Sequence, residues 1–298
     1  MKPGARSMAG TEEIDYRIRW RGHDAHPGAH RSRVAGSGEE FRGVVPLAEG
    51  RDARRIDLRA SVTDPWGRPW VREFRQRSRV PVALLADVSN SMRFAGHGDR
   101  LATCARFARA LARAASRNGD PFAFVACDRG VRRELLLPAT LARHGGETAA
   151  RRLEALRAEA PRPEGAGAQG LEQAVRWLPR QRSLVFVLSD LYLEADLLER
   201  VLRSLAAHER VLLLLADSAE RQPPARWGLA RLADLETGRD RLLLLRPALA
   251  RRMAARQAER VERCTRLARR HGASLLVAED GLDPAAVARH FLGRGGGA

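Results

Sequence analysis

A single lysine, Lys2, is all that this 298-residue chain contains, so arginine fills every other one of its 53 basic positions. That scarcity removes whole enzyme classes. A phosphate-cradling Gly-Lys-Ser/Thr loop, a kinase strand lysine and a Schiff-base lysine for pyridoxal chemistry each need a lysine inside a folded element, and none exists beyond position 2. Cysteine is nearly as rare. Cys104, Cys127 and Cys264 are too few and too far apart for a disulfide framework and form no Cys-x-x-Cys pair, so they read as buried thiols. No stretch reaches the roughly 20 apolar residues that a membrane helix requires, and the opening MKPGARSMAGTEE lacks the apolar core of a secretory signal. The expectation is a cytoplasmic protein without a membrane span. Gly-x-Ser-x-Gly and His-Glu-x-x-His, the common hydrolase signatures, are missing too.

What is present argues for an ordered core. The chain is 44% hydrophobic, and its length allows one large α/β unit with an appended N-terminal segment. A net charge of +17 suits nucleic acid or an anionic surface at first sight. Yet the arginines are scattered among alanines and leucines along the whole chain, with no nucleic-acid motif and no interleaved aromatic stripe. Only salt-labile, sequence-independent nucleic-acid binding is expected.

Residues 1–80 are rich in Gly, Arg and His, with short extended stretches at Tyr16 to Trp20 and Trp70 to Phe74 and turn signals at His26-Pro27-Gly28 and Asp64-Pro65-Trp66-Gly67. They read as strands and loops without a large core. From 81 to 298 the pattern becomes strand-helix alternation. Val82 to Ala86, Phe122 to Cys127, Leu184 to Leu188, Val211 to Ala216, Leu242 to Leu245 and Ser274 to Val277 read as strands, with Val131 to Leu137 as an antiparallel edge. Helices are predicted at Arg100 to Arg117, Leu141 to Arg157, Leu171 to Leu178, Glu194 to His208, Ala248 to His271 and Pro284 to Leu292. The Pro/Gly-rich stretch Pro161 to Gly170 reads as a loop. Such alternation predicts an α/β fold with a doubly wound, mostly parallel sheet behind a β-rich N-terminal segment. In sheets of this kind, sites form at the carboxyl ends of strands near a topological switch point. Asp87, Asp190 and Asp217 each follow an apolar run, so they should share that edge.

Asp87-Val88-Ser89-Asn90-Ser91 directly follows a buried strand, and its one-residue spacing lets a turn aim one carboxylate and two hydroxyls at one point. Hard oxygen donors in that arrangement suit Mg²⁺, with Mn²⁺ as a substitute. The same residues also suit a helix N-cap and turn with no metal. Combined with the strand-terminal Ser189-Asp190, the motif resembles the metal-ion-dependent adhesion site of von Willebrand factor A domains.

The resemblance reaches further. Glu40-Phe41-Arg42, the run Arg54-Arg55-Ile56-Asp57-Leu58-Arg59-Ala60-Ser61, and Val71-Arg72-Glu73-Phe74 ahead of the Asp87 strand are similar to the bacterial von Willebrand A-like (DUF58-type) family encoded beside MoxR-type AAA+ ATPases. Tyr16-Arg17 with Pro27-Gly28-Ala29-His30, and Arg226-Trp227-Gly228-Leu229 with Asp234-Leu235-Glu236-Thr237-Gly238, resemble the soluble branch of methanol-oxidation gene clusters. The resemblance implies a von Willebrand A-like domain over 81–298 and a non-enzymatic, metal-assisted partner of a MoxR-type ATPase. It further implies a role in maturing a target complex, in that branch the quinone-dependent methanol dehydrogenase, including insertion of its Ca²⁺. The implied metal ligands are Asp87, Ser89, Ser91 and Asp190. The family pattern also takes a Thr before the helix that precedes the Asp190 strand, and here Gln169 stands in that place, so weak Mg²⁺ binding is expected.

Two classes stay open on the residues alone. An interaction module keeps one metal position for a partner's carboxylate, whereas a metal-dependent hydrolase needs a general base or second metal, for which no histidine occupies a matching strand end. His23, Asp24, His26 and His30 are expected in a solvated loop, and Arg54, Arg55 and Asp57 in a local ion pair.

Overall fold

A computed structural model of the chain describes residues 14–18, 20, 27–36, 40–49, 52–94, 96–160, 167–221, 225, 227–236 and 238–293. The first elements are strands β1 (Pro27–Gly36) and β2 (Glu40–Pro46), the short helix α1 (Leu58–Thr63) and strand β3 (Trp70–Ser78), whose three strands form an antiparallel sheet in the order β1-β3-β2. Asp57 starts α1 by accepting the Ala60 N–H at 3.0 Å, and its other oxygen takes the Arg72 guanidinium at 2.7 Å. The local pair expected of Arg54, Arg55 and Asp57 is therefore corrected. Arg55 pairs with Asp52 at 3.3 Å and lies over the Phe74 ring, because the N-cap geometry turns Asp57 toward β3 instead.

The α/β unit begins with β4 (Val82–Asp87), α2 (Arg100–Asn118), β5 (Phe122–Cys127), β6 (Leu137–Thr140) and α3 (Gly145–Ala158). It continues with α4 (Gly170–Ala174), β7 (Leu184–Ser189), α5 (Ala195–Ser204) and β8 (Glu209–Ala216). The hairpin strands β9 (Gly228–Ala233) and β10 (Asp240–Leu245) follow, then α6 (Pro247–Arg270), β11 (Ser274–Glu279) and α7 (Pro284–Gly293).

Six strands form the central sheet in the order β11-β8-β7-β4-β5-β6, all parallel except the edge strand β6. Every residue of β4, β5 and β7 is buried, which is why these strands read as unbroken apolar runs. Alternate side chains feed two cores. Val82, Leu84, Phe124 and Phe186 pack on one face with Leu111 of α2 and Leu153 of α3, while Leu85, Val125, Val187 and Leu212 pack on the other with Val201 of α5 and Cys264 of α6. All three cysteines are buried, as their spacing implied.

The antiparallel edge lies six residues beyond its expected start at Val131. Residues Arg133–Leu135 make a 3-10 turn because Val131 pairs with Cys127 only through an isolated bridge. The Leu242 run lies outside the central sheet. It forms a two-stranded ribbon with β9, paired from Leu245↔Gly228 to Asp240↔Ala233.

The N-terminal segment is anchored by a buried carboxylate. Asp120, just ahead of β5, accepts the Tyr16 hydroxyl and the His30 Nε2 (2.6 Å) on one oxygen and the Val80 N–H (2.9 Å) on the other. Burial, reinforced by the Asp120 charge, pushes the Tyr16 phenol well above its ordinary range. His30 is therefore buried against Asp120 and not in a solvated loop, because Asp120 supplies the partner that a buried imidazole needs. His23, Asp24 and His26 lie outside the described residues. No helix among the described residues is long and apolar enough to cross a membrane.

Candidate functional site

Strands β4 and β7 are neighbours although the chain passes through β5 and β6 between them, so the topological switch point lies between their ends. Asp87 closes β4 and Ser189 closes β7. The Ser189 hydroxyl donates to Asp87 Oδ2 at 2.6 Å, and Asp87 Oδ1 takes the Ser89 N–H at 2.9 Å. The Ser89 and Ser91 hydroxyls lie 3.2 Å apart. Asp190 follows, with Oδ1 on the Tyr192 N–H at 3.1 Å and Oδ2 on Arg100 at 3.3 Å. Four of the five residues singled out in the sequence thus converge on one strand-end cluster of oxygens.

Electrostatics mark this cluster as under strain. Burial, then the neighbouring Asp190 charge, pushes the Asp87 carboxyl up to about 7, against the pull of the Ser189 and Ser89 hydrogen bonds. The backbone is strained as well: Leu191, fully buried after Asp190, has φ +52°, a left-handed conformation that costs an ordinary side chain energy and collects at functional positions.

Gln169 behaves differently from the other four. It is exposed at the start of α4, and its carboxamide lies against Gly167 so closely that a Cβ there would fall 2.5 Å from Gln169 Oε1. Gly167 has φ +80°, a left-handed conformation that favours glycine there.

Several neighbours were invisible to sequence reasoning. Arg100, the first residue of α2 and only 4% exposed, pairs with Asp190 and Glu220 and donates to the carbonyls of Leu215 (3.1 Å) and Ser91 (3.1 Å). Arg260 of α6 donates to the Asp190 carbonyl, pairs with Glu220 and covers the Tyr192 ring with its guanidinium 3.6 Å from the centroid. Glu236, in the turn of the β9–β10 hairpin, accepts the Ser91 N–H at 2.7 Å and the Gly167 N–H at 2.6 Å. Glu236 could have been suspected only from the Asp234–Gly238 segment, and Arg100 only from its place beside the helix cap Asp99.

Asp217 joins the same edge as expected, directly after the last residue of β8. Burial works to raise its carboxyl, but the N–H groups of Gly98, His97 and Ala219 outweigh that and hold it below the usual range. With His97 and Asp280 it forms a group whose ligand atoms lie within 4.8 Å of one another. Each is already engaged: Asp280 by the Ser218 N–H and hydroxyl, His97 Nδ1 by the Ser218 hydroxyl at 2.7 Å. This group clasps the 96–98 loop to the sheet.

The donor set around Asp87 fits a hard divalent cation in kind. Two carboxylates and two hydroxyls meet with excess negative charge that a cation would relieve, and Arg100 is a built-in competitor for part of it.

The family model described as "Protein of unknown function DUF58" matches residues 45–264. An "Uncharacterized protein in moxR 3'region" of Paracoccus denitrificans is 38% identical over 97 residues, which cover 33% of this chain and 92% of that one. Among solved structures, the conserved hypothetical protein BatB of Bacteroides thetaiotaomicron aligns over 72% of this chain and 98% of its own at 15% identity and a TM-score of 0.40. A von Willebrand factor type A protein of Catenulispora acidiphila aligns over 74% of this chain and 43% of its own at 13% identity and a TM-score of 0.39.

Proposed function

The chain belongs to the family described as protein of unknown function DUF58, and from that premise we propose that it is a non-enzymatic, metal-assisted protein-interaction module that serves a MoxR-type AAA+ ATPase. The observation that carries this reading is the meeting of Asp87, Ser89, Ser91 and Ser189-Asp190 at the switch point of the sheet. Asp87, Ser89, Ser91 and Asp190 would hold Mg²⁺. Gln169, exposed and turned onto Gly167, is the weak member of the expected ligand set. The bound ion would supply a fixed positive charge to which a partner's carboxylate is drawn.

Two further facts support the partner. The relative from a moxR 3' region is 38% identical to part of this chain, and the absence of any lysine beyond Lys2 leaves no phosphate-binding loop, so ATP-driven work must be supplied in trans. The client we infer from the branch resemblance is the quinone-dependent methanol dehydrogenase system. Co-purification with the MoxR-type ATPase of the same organism, with and without nucleotide, tests the partnership. Association that weakens on chelating Mg²⁺ supports it; no association in any nucleotide state refutes it.

A further inference from the structure

The β9–β10 hairpin makes a contact that the interaction reading leaves unexplained. Glu236 Oε1 accepts the Ser91 N–H at 2.7 Å while Oε2 accepts the Gly167 N–H at 2.6 Å, so one carboxylate is gripped by one amide from each of two site loops. Charge-assisted bonds of this length are the strong kind. The turn is shaped to present that side chain: Asp234 Oδ1 takes the Glu236 N–H at 2.9 Å, Asp234 O takes the Gly238 N–H at 2.7 Å, and Gly238 reverses the chain at φ +67°.

Behind the turn the ribbon is weakly held. Among the described residues β9 and β10 pair as strands only with each other, and of β10 only Leu245 is buried. Leu229, Leu242 and Leu244 stand exposed on one face. A two-stranded ribbon is marginal by itself, and elements with few buried apolar contacts open locally at small cost. The Glu236 contact is thus a latch on an element that can move.

We infer that the Ser91 and Gly167 amides form a carboxylate receptor at the mouth of the oxygen cluster, that Glu236 fills it in cis, and that an aspartate or glutamate of an acidic partner segment displaces the hairpin to bind there. This rests on the interaction reading above and adds the specificity and the gate. Here the two N–H groups take separate oxygens of one group, an arrangement that a carboxylate supplies and a carboxamide, with one oxygen and one NH₂, does not. An intramolecular occupant at millimolar effective concentration lowers the apparent affinity of any competitor, so only a partner with further contacts opens the site.

The test uses the full chain, ¹⁵N-labelled, in Mg²⁺, with acetyl-Gly-Glu-Gly-amide as probe and its glutamine counterpart as control. The Ser91 and Gly167 amide resonances are followed in wild type, Glu236→Ala and the isosteric Glu236→Gln. In Glu236→Ala the acidic tripeptide should shift both resonances at a concentration at least about tenfold lower than in wild type, with Glu236→Gln intermediate and no response to the glutamine peptide. Equal responses in wild type and both variants, or equal responses to the two peptides, overturn the receptor and its latch. The underlying reading is separated by Asp87→Ala in the ATPase co-purification. If Asp87→Ala abolishes association while the Glu236 variants respond like wild type, the module stands and the latch falls; if the Glu236 variants respond as expected and Asp87→Ala still associates, the receptor stands and the metal-assisted reading falls.

Discussion

Two buried aspartates at opposite edges of the central sheet lead opposite lives. Asp120, at the amino edge, is met by a phenol, an imidazole and a backbone N–H that join the N-terminal segment to the α/β core. Asp87, at the carboxyl edge, is equally buried, yet its neighbours include a second carboxylate, and its carboxyl is pushed up to about 7. One carboxylate has been given the donors its burial demands and holds the fold together. The other has been left short of positive charge, which is where a ligand, ion or partner gains binding energy.

Substituting the two sites should separate them sharply. Asp120→Asn leaves Tyr16, His30 and Val80 competing for one acceptor oxygen and introduces donors facing donors, so it should lower the unfolding free energy by about 2–4 kcal/mol. Asp87→Asn relieves like-charge repulsion and keeps an oxygen for the Ser89 N–H, so the metal-free protein should be no less stable than wild type. Urea unfolding of the two variants decides it. Equal losses would erase the distinction and make Asp87 a structural residue.

The pH dependence sharpens the same contrast. Because the Asp87 carboxyl rises from 3.8 to about 7 on folding, the native state holds more protons than the unfolded state in that window. Stability of the metal-free protein should therefore fall as pH rises from 3.8 to about 7 and level off above it. Asp87→Asn should flatten that fall. A wild-type stability that rises through the window and a variant that keeps the same slope would show that Asp87 is not the strained group.

A smaller effect is expected at the weak member of the ligand set. Gln169→Thr replaces an exposed carboxamide with a short hydroxyl at the expected ligand position, and Mg²⁺ affinity should rise about tenfold, or about 1.4 kcal/mol. Calorimetric titration measures it. Unchanged affinity would mean that this position takes no part in holding the ion.

The same contrast explains what could be read from the chain. Val82 to Ala86 followed by Asp87 was legible because a strand buried on both faces must be apolar throughout, and the one-residue spacing of Asp87, Ser89 and Ser91 fixes a local turn. Strands β1 and β2 were not, since a small Arg- and Gly-containing sheet needs no apolar run, and β9 was hidden because its ribbon remains exposed. His30 looked like part of a polar loop, and only the fold reveals the Asp120 that buries it, 90 residues away. Arg100 and Glu236 were silent for a related reason. Arg100 bonds backbone carbonyls and distant carboxylates, and Glu236 bonds two backbone amides, the nearer of them 69 residues off, so no local spacing encodes either contact.

The most direct measurement of the central claim is the binding of wild type, Asp87→Asn and Asp120→Asn to the immobilised MoxR-type ATPase in Mg²⁺, at a temperature where all three are folded. Asp87→Asn should bind at least about tenfold more weakly than wild type without loss of stability, while Asp120→Asn, though less stable, should bind like wild type. Wild-type binding by Asp87→Asn would contradict the assignment of the carboxyl-edge cluster as the interaction site.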